Sequence, residues 1–424
     1  MADTTKWACG VDPNTRAATL TMSRNGGAPA RALIKGVCYS PAPINGSNKF
    51  APALGDWYWD DFAPITGWEV LWKRDLHQMR RLGVNAIRVY CSLSRQLNGD
   101  GTFPVPWNSG HKFTHQKFLD WCWNGSAPPV DQNPMYLLVG IPLPSNMFWK
   151  DQYDNTPQTQ IDFWTNVLQE TVASMAQHPA VMGFTIQNEQ DGADVCYNNP
   201  ELATFWWGQV EKMAAIVKAA APDKLVGMAT HDDPNIPAKA SAYMAQCPHL
   251  DFWGINTYQT QSFSSVFSGY ADLTGSALKP VVLTEFGMPA TSHRDPGDPA
   301  SIYEDASTRS KAAGVIGNML PQAFQNPLGL GVYYFEYCDE WWNQPEAPNI
   351  YTWYGGPPAS GFPNGYWDND GFGLFSTKRG GTLPNNAPIW VGNGPNMPID
   401  VQTARTELTT VLQQTYQKAQ PKPS

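Results

Sequence analysis

The sequence predicts an α/β protein with a single (β/α)8 TIM barrel, because eight short apolar segments alternate with helical segments along its 424 residues. A helix between two consecutive strands makes those strands parallel, and eight such units close into a barrel. The predicted strands are Ala32 to Ser40, Asn85 to Tyr90, Tyr136 to Ile141, Val181 to Glu189, Leu225 to Thr230, Asp251 to Tyr258, Pro280 to Glu285 and Gly329 to Tyr337.

Helical signals fill the intervals between these strands. The first helix is predicted from the capping box Thr66-x-x-Glu69 and from an apolar stripe that ends at Gly83. Another helix is predicted to begin after Asn199, which is followed by a proline suited to the first helical turn. The remaining helices are predicted over Gln116 to Trp123, Ile161 to Met175, Ala238 to Met244 and Asp305 to Phe324.

Two long aromatic-rich loops interrupt this alternation, one after the first strand and one after the eighth. They cover residues 41 to 66 and 339–398 and are dense in Trp, Tyr, Gly and Pro. Long loops at this end of a barrel usually build the site, so we expect 339–398 to form a wall of a cleft. We predict one catalytic domain over residues 1–424, with a polar lead-in to residue 30, barrel strands over 30–338 and a terminal helix over 400–418.

The charge balance and the aromatic content restrict the partners. The chain has 28 basic and 37 acidic residues and no basic cluster, which argues against binding of nucleic acid or anionic membranes. Charged residues make up 15% of the chain and aromatic residues 12%, with 18 Trp. Aromatic faces beside polar groups suit sugar rings, so the composition favours a carbohydrate ligand.

The sequence leaves the cellular compartment open. No apolar run has the length of a transmembrane helix, and the first residues lack the charged and apolar regions of a signal peptide. The protein would be secreted or periplasmic if a signal peptide has been removed, and cytoplasmic otherwise. The seven cysteines form no CxxC pair and no zinc pattern, so we expect mostly buried thiols, with one or two disulfides left open.

Two glutamates carry the functional prediction. Glu189 ends the fourth predicted strand and Glu285 the seventh, and these strands face each other across the barrel mouth. Glycoside hydrolysis needs a proton donor and an anion on the two sides of the scissile bond. One strand-end glutamate alone would more often pair with an arginine or cap a loop. Two of them on opposite buried strands favour a catalytic pair.

Several segments resemble known enzymes. Asn188-Glu189 and Thr284-Glu285-Phe286-Gly287 resemble the two catalytic strands of clan A retaining glycoside hydrolases. Other segments resemble, in order, parts of the fungal β-1,3-glucanosyltransferases of glycoside hydrolase family 72, a partial match from Ile34 to Ser376. These segments are Ile34 to Val37, Lys73 to Leu76, Leu82 to Tyr90, Phe335 to Tyr337 and Gly373-Leu374.

The resemblance implies a role for each matching residue. Glu189 would be the acid/base and Glu285 the nucleophile of a double displacement, with the carboxyl groups about 5 to 5.5 Å apart. Arg88 and Tyr258 would donate hydrogen bonds to Glu285, and Asn188 would bind the sugar 2-hydroxyl.

Further substrate contacts are predicted at the ends of other strands. His231 and Asp232 follow the fifth strand, and Tyr39 lies in the first, although a histidine in a polar loop is often only solvated. Trp341 and Trp342 lie in the long loop after the eighth strand and are predicted to stack on sugar. Asp191, Glu336 and Glu340 are rival carboxylates, of which Glu336 lies inside a strand.

We therefore predict a retaining β-glycosidase that acts on a β-linked glucan or oligosaccharide. A β-glucanosyltransferase with the same residues and an inactive polysaccharide-binding barrel are the alternatives. A metal-dependent hydrolase is disfavoured because its strand-end His and Asp ligands are missing. No cofactor or metal is expected, and the oligomeric state stays open.

Overall fold

The computed structural model describes residues 3–40, 69–95, 98, 103–125, 133–340, 353–377, 391–392, 398–399 and 402–422. Within these ranges, eight parallel strands close into a barrel in chain order. The barrel strands are β4 (Ile34–Cys38), β5 (Ala86–Val89), β6 (Tyr136–Gly140), β7 (Val181–Asn188), β8 (Leu225–His231), β9 (Phe252–Asn256), β10 (Val281–Phe286) and β13 (Gly329–Tyr334). The predicted (β/α)8 barrel is confirmed.

The helices surround the barrel. They are α1 (Glu69–Arg81), α2 (Gln116–Asn124), α3 (Lys150–Asp154), α4 (Gln158–Met175), α5 (Pro200–Ala220), α6 (Asn235–Met244), α7 (Ser264–Ala271), α8 (Ala306–Gln325) and α9 (Thr406–Lys418). The Asn199 side chain accepts hydrogen bonds from the first backbone N–H groups of α5, as its capping signal predicts. Thr66 of the predicted capping box lies outside the described residues.

The barrel interior is apolar below its mouth. A buried cluster there includes Ile34, Ala86, Leu138, Met182, Leu225, Phe252, Val282, Leu330 and Tyr333. Two glycines make room for the largest of these side chains, because a Cβ on Gly36 would lie 2.3 Å from the Tyr333 ring and one on Gly227 would lie 2.1 Å from the Phe252 ring. The packed interior leaves the mouth as the place for chemistry.

The first residues form a small sheet instead of the predicted polar lead-in. β1 (Thr5–Val11), β2 (Ala18–Arg24) and β3 (Ala30–Arg31) pair antiparallel. Trp7 and Leu20 join the interior cluster, and Trp7 packs edge-on against Tyr136, where β6 begins, with ring centroids 4.8 Å apart. This sheet therefore covers the end of the barrel opposite the mouth.

The C-terminal part is tied to the barrel by a buried arginine. Arg405, just before α9, donates to both Asp339 carboxylate oxygens at 2.6 and 2.9 Å. It also donates to Glu304 of β12 (Ile302–Glu304) at 2.7 Å and to the Gly373 carbonyl at 2.6 Å. One side chain thus fixes the start of α9, β12, the residues that follow β13 and the segment 353–377 relative to each other.

The remaining strands are short. They are β11 (Thr291–His293), β14 (Phe375–Thr377), β15 (Val391–Gly392), β16 (Pro398–Ile399) and β17 (Gln402–Ala404). The predicted loop after the first strand lies outside the described residues, as does much of 339–398. Within the described ranges, no helix combines the length and apolar character needed to cross a membrane. Cys38, Cys122 and Cys247 are buried thiols, as expected for most of the cysteines.

Candidate active site

The two barrel strands that carry the predicted glutamates pair irregularly near the mouth. β7 shifts register against β8 between Thr185 and Asn188, and β10 shifts against β9 between Leu283 and Glu285. Such an irregularity bends a strand and redirects the side chains beside it. Each glutamate therefore lies directly after, or at the end of, a register shift in its strand.

The turn after β7 holds Glu189 in an unusual conformation. Glu189 has a φ of 57°, in the left-handed region that costs energy for a residue with a side chain. Gln190 braces the turn, because its side chain accepts from the Asn188 N–H at 2.7 Å and donates to the Leu143 carbonyl at 2.9 Å. Its own carbonyl accepts from the Trp149 indole at 2.7 Å. These contacts stabilise the strained residue.

Glu285 is buried among hydrogen-bond donors. Only 6% of the residue is exposed. Arg88 Nη1 and the Tyr90 hydroxyl each donate to Oε1 at 2.8 Å, and the Tyr258 hydroxyl donates to Oε2 at 2.5 Å. These three donors therefore fix both oxygens of the Glu285 carboxyl group in position.

Arg88 links the strands at the base of the site. It lies in β5 two residues after Ala86, so both side chains point into the barrel. Besides Glu285, Nη2 donates to Asn188 Oδ1 at 2.6 Å and Nη1 donates to Asn256 Oδ1 at 3.2 Å. One guanidinium thus joins the ends of β5, β7, β9 and β10.

Glu189 has a different environment. Its side chain is 31% exposed, and Oε1 accepts a hydrogen bond from Asn256 Nδ2 at 2.9 Å. Burial raises the pKa of Glu189, and the negative charge of Glu285 raises it further. Because each effect favours the protonated form, Glu189 is suited to give a proton.

His231 lies beside Glu189 at the end of β8. Its Nε2 is 3.3 Å from Glu189 Oε2, and its Nδ1 is 3.3 Å from Asp191 Oδ2. The hydrogen bond with Asp191 raises the pKa of His231 to about 9, against the effect of burial and with help from the charge of Glu189. The imidazole is therefore cationic at neutral pH.

The other predicted contacts differ in their placement. Asp232 Oδ2 accepts from Thr257 Oγ1 and Gln259 Nε2, both at 2.7 Å, which ties this carboxylate to the loop after β9. Tyr39 is fully buried, and its hydroxyl donates to Asp75 of α1 at 2.9 Å. Neither arrangement supports a contact with substrate, which stays a prediction for both. Trp341 and Trp342 lie outside the described residues.

The rival carboxylate Glu336 is buried inside the protein and, within the described ranges, lacks the hydrogen-bond donors that surround Glu285. It is 1% exposed, and its Oε1 has no hydrogen-bond partner among the described residues. Burial and the charge of Glu340 raise the pKa of Glu336 well above its usual range. A neutral, inaccessible carboxyl is a poor nucleophile, so the geometry favours Glu285 for that role.

Aromatic side chains of the segment 353–377 pack around Tyr258, which donates to Glu285. Trp367 and Phe372 contact the Tyr258 ring, with centroids 4.7 and 5.6 Å away, and Phe362 lies 6.3 Å from it. The described part of the predicted cleft wall is therefore next to the residue that holds Glu285 Oε2.

Two members of this network were not predicted as site residues. Tyr90 and Asn256 each contact a glutamate directly. Both lie two residues from a predicted site residue, Tyr90 after Arg88 and Asn256 before Tyr258. Because alternate residues of a strand share a face, that spacing was a usable signal.

Comparison with known proteins agrees with the sequence resemblance. A family model described as glucanosyltransferase matches residues 129–326, a range that includes Glu189, Tyr258 and Glu285. A 1,3-β-glucanosyltransferase of Candida albicans is 24% identical over 261 residues, covering 57% of this chain and 35% of that protein. The chain thus spans about a third of the length of this curated relative.

Solved structures share the fold. A family 2 β-galacturonidase from Eisenbergiella tayi, bound to galacturonate, has a TM-score of 0.52 at 13% identity, covering 98% of this chain and 60% of that one. The glycerol complex of a β-galacturonidase from the same organism has a TM-score of 0.51 at 13% identity, covering 96% and 58%. The predicted partial resemblance is confirmed: the middle of this chain, with both glutamates, is similar to the glucanosyltransferase family.

Proposed function

We propose that this protein is a retaining β-glycosidase that acts on a β-linked glucan, with Glu285 as nucleophile and Glu189 as acid/base. The observation that carries the proposal is the contrast between the two carboxyl groups. Glu285 receives three hydrogen bonds from Arg88, Tyr90 and Tyr258, whereas burial raises the pKa of Glu189. A glycosidase needs one ionised and one protonated carboxyl group at the same bond.

In the first step Glu285 attacks the anomeric carbon. The bond from that carbon to the glycosidic oxygen breaks, and the Glu189 proton goes to the departing oxygen. Arg88 donates a hydrogen bond to Glu285 Oε1 and so holds the carboxyl group in position. Arg88 itself forms no bond to the sugar in this step. The product of this step is a glycosyl ester on Glu285 and an ionised Glu189.

In the second step an incoming hydroxyl attacks the same carbon. Glu189 takes its proton, the ester bond breaks and Glu285 leaves as a carboxylate. Asn256 Nδ2 and His231 Nε2 lie 2.9 and 3.3 Å from the two oxygens of Glu189. Both are placed to stabilise Glu189 while it is ionised between the steps.

The substrate class rests on the family similarity. The matching family model is described as glucanosyltransferase, and the Candida albicans relative as a 1,3-β-glucanosyltransferase. We therefore propose a β-1,3-linked glucan as the substrate. The proposal is tested by incubating the protein with β-1,3-, β-1,4- and β-1,6-linked glucans and following products by mass and the first-formed anomer by NMR.

Retention of the β-anomer on the β-1,3-glucan is the expected result, with Glu285→Ala as the inactive control. An α-anomer formed first would require an inverting mechanism. Absence of product from every glucan, by a protein with native circular dichroism, would favour the inactive polysaccharide-binding alternative.

Transfer to a second sugar is the alternative favoured by the family description. The ester on Glu285 can be attacked by a sugar hydroxyl instead of water if an acceptor is held beside it. Trp367 and Phe362 form an aromatic surface next to Tyr258 that suits an acceptor ring. With a defined oligosaccharide at millimolar concentration, products longer than the substrate at the earliest times indicate transfer, whereas only shorter ones indicate hydrolysis.

A further inference from the structure

We propose that His231, held by Asp191, is a positioning residue. Its positive charge lies beside Glu189 and stabilises the ionised Glu189 carboxylate between the two proton transfers. The inference deepens the proposed function and rests on it for the mechanism. It replaces the predicted substrate contact of His231 with a contact to the acid/base.

The geometry makes His231 a bridge between two carboxylates. Asp191 accepts from the His231 backbone N–H at 3.2 Å and lies 3.3 Å from ring Nδ1. Its side chain is 3% exposed, so it is a fixed partner. With Nδ1 held by Asp191, ring Nε2 faces Glu189 Oε2 at 3.3 Å. This arrangement determines both the orientation and the charge of the imidazole.

Other charged or titratable groups also face Glu189. Glu285 of β10 and Asp191 of the same turn disfavour its ionisation, whereas His231 favours it. Arg88 of β5 and Tyr258 beyond β9 also interact with Glu189 electrostatically. Arg88 already donates to Glu285 and Asn188. Among these described groups, His231 is the cation that lies against a Glu189 oxygen.

The positive charge of His231 has its largest effect between the two steps of the double displacement, when Glu189 is ionised. Glu189 must hold a proton for the first step and lose it before the second. A cation beside its carboxylate stabilises the ionised form, so it lowers the cost of ionisation that burial and Glu285 impose. His231 is half exposed, at 50%, so it can exchange protons with solvent. His231 thus helps Glu189 to give its proton to the leaving oxygen in the first step and to take a proton from the incoming hydroxyl in the second.

The first test is a histidine titration by NMR on the full chain without substrate. Glu189→Gln removes a negative charge beside Nε2, so it should lower the pKa of His231 by about one unit. Asp191→Asn should lower it by more than about one unit, because it removes the partner with the largest effect. His231→Gln assigns the resonance.

Glu211→Gln is the matched control for this titration. Glu211 also pairs with a histidine, His249, which precedes β9 at the end of the barrel opposite the mouth. This substitution should leave the His231 titration unchanged. An unchanged His231 pKa in Glu189→Gln would overturn the proposal, whether or not any glucan is a substrate.

The second test is the pH dependence of kcat/KM for an aryl β-glucoside. His231→Gln keeps a hydrogen-bond donor but removes the charge, so Glu189 should stay protonated to higher pH and the basic limb should move up by about one unit. Because coupling between two sites is reciprocal, this upward shift should equal in size the downward shift of the His231 pKa in Glu189→Gln. His249→Gln should leave the profile unchanged.

The two tests separate this inference from the proposed function. Equal shifts in both experiments support the coupling. A basic limb that does not move in an active His231→Gln variant overturns it, even if Glu285→Ala is inactive as proposed. If the wild type has no glycosidase activity, the proposed function fails, and the NMR titration still decides whether His231 and Glu189 are coupled.

Discussion

The two glutamates at the mouth differ in how much of their environment is fixed. Glu285 is 6% exposed and receives three donors from the ends of two barrel strands, β5 and β9. Glu189 is 31% exposed, has a left-handed backbone and contacts one amide and one half-exposed imidazole. The hydrogen bonds to Glu285 hold its carboxyl group in one position, whereas the partly exposed Glu189 can exchange a proton with solvent.

The comparison teaches that the partners of a carboxyl group, more than its position, assign its role. Both glutamates end barrel strands, and both follow an irregular pairing. Their difference comes from Arg88, Tyr90 and Tyr258 on one side and from Asn256 and His231 on the other. Five substitutions, one of them with a matched control, test this assignment from the largest expected effect to the smallest.

Glu285→Ala removes the proposed nucleophile and should cause the largest loss of activity. We expect kcat to fall by about 10⁴-fold or more, because the nucleophile acts in the transition state far more than in substrate binding. Binding of the glucan, measured by calorimetry, should persist. With an activated aryl β-glycoside, azide should restore turnover and give the α-glycosyl azide. A β-glycosyl azide would mean that Glu285 is not the nucleophile.

Glu189→Ala removes the open carboxyl group and should cost less, about 10² to 10⁴-fold. The loss should be large for natural glucans and smaller for aryl glycosides, because an activated leaving group needs little protonation. Since burial raises the pKa of Glu189, the wild-type basic limb should lie above the range of an ordinary glutamate. That limb should disappear in the variant, and azide should yield the β-glycosyl azide. An unchanged basic limb would assign the proton donor elsewhere.

Arg88→Lys keeps a positive charge but cannot donate to Glu285 and Asn188 from two separate nitrogens. A lysine offers one ammonium where Arg88 reaches Glu285 and Asn188 with separate nitrogens. We expect kcat/KM to fall about 100-fold, from the loss of charge-assisted hydrogen bonds.

Arg405→Lys is the matched control for that substitution. Arg405 is also buried and donates to Asp339 through two nitrogens, but it does not contact Glu189 or Glu285. Urea unfolding should show a loss of stability in both variants, whereas only Arg88→Lys should lose most of its activity. Equal activity losses would mean that Arg88 acts through the fold alone.

The barrel and the glutamate pair were predictable from sequence for a simple reason. Buried parallel strands are continuous apolar runs, so a carboxylate that ends one is conspicuous, as in Val281–Phe286. The roles of Arg88 and Tyr258 came from the family resemblance, and the structure places both against Glu285. The contact between His231 and Glu189 was not predictable, because it depends on the turn that Gln190 braces.

The N-terminal sheet was missed for a different reason. Thr5–Val11 alternates buried and exposed residues at its start, with Thr5 and Trp7 inward and Lys6 and Ala8 outward. The alternation covers only the first four residues and includes one charged residue, Lys6, so the segment does not form a continuous apolar run, as is usual for an antiparallel strand with one face in water. Asp232 and Tyr39 also lie at strand ends, but they form hydrogen bonds with Thr257 and Asp75 respectively. The sequence pattern does not predict these partners.

The smallest effect should distinguish the two tyrosines that donate to Glu285. Tyr90 shares Oε1 with Arg88, whereas Tyr258 is the donor to Oε2 within the described ranges. Tyr258→Phe should therefore lower kcat/KM by about 10 to 100-fold, the value of a hydrogen bond to a charged group whose loss leaves an oxygen unsatisfied. Tyr90→Phe should cost less than about 10-fold, since Arg88 still satisfies Oε1. Both variants keep the ring and its packing, so kcat/KM on one aryl glycoside measures the hydroxyl alone. The reverse order would show that Oε1 carries the charge that matters in the first step, and that Tyr258 serves mainly to hold Trp367.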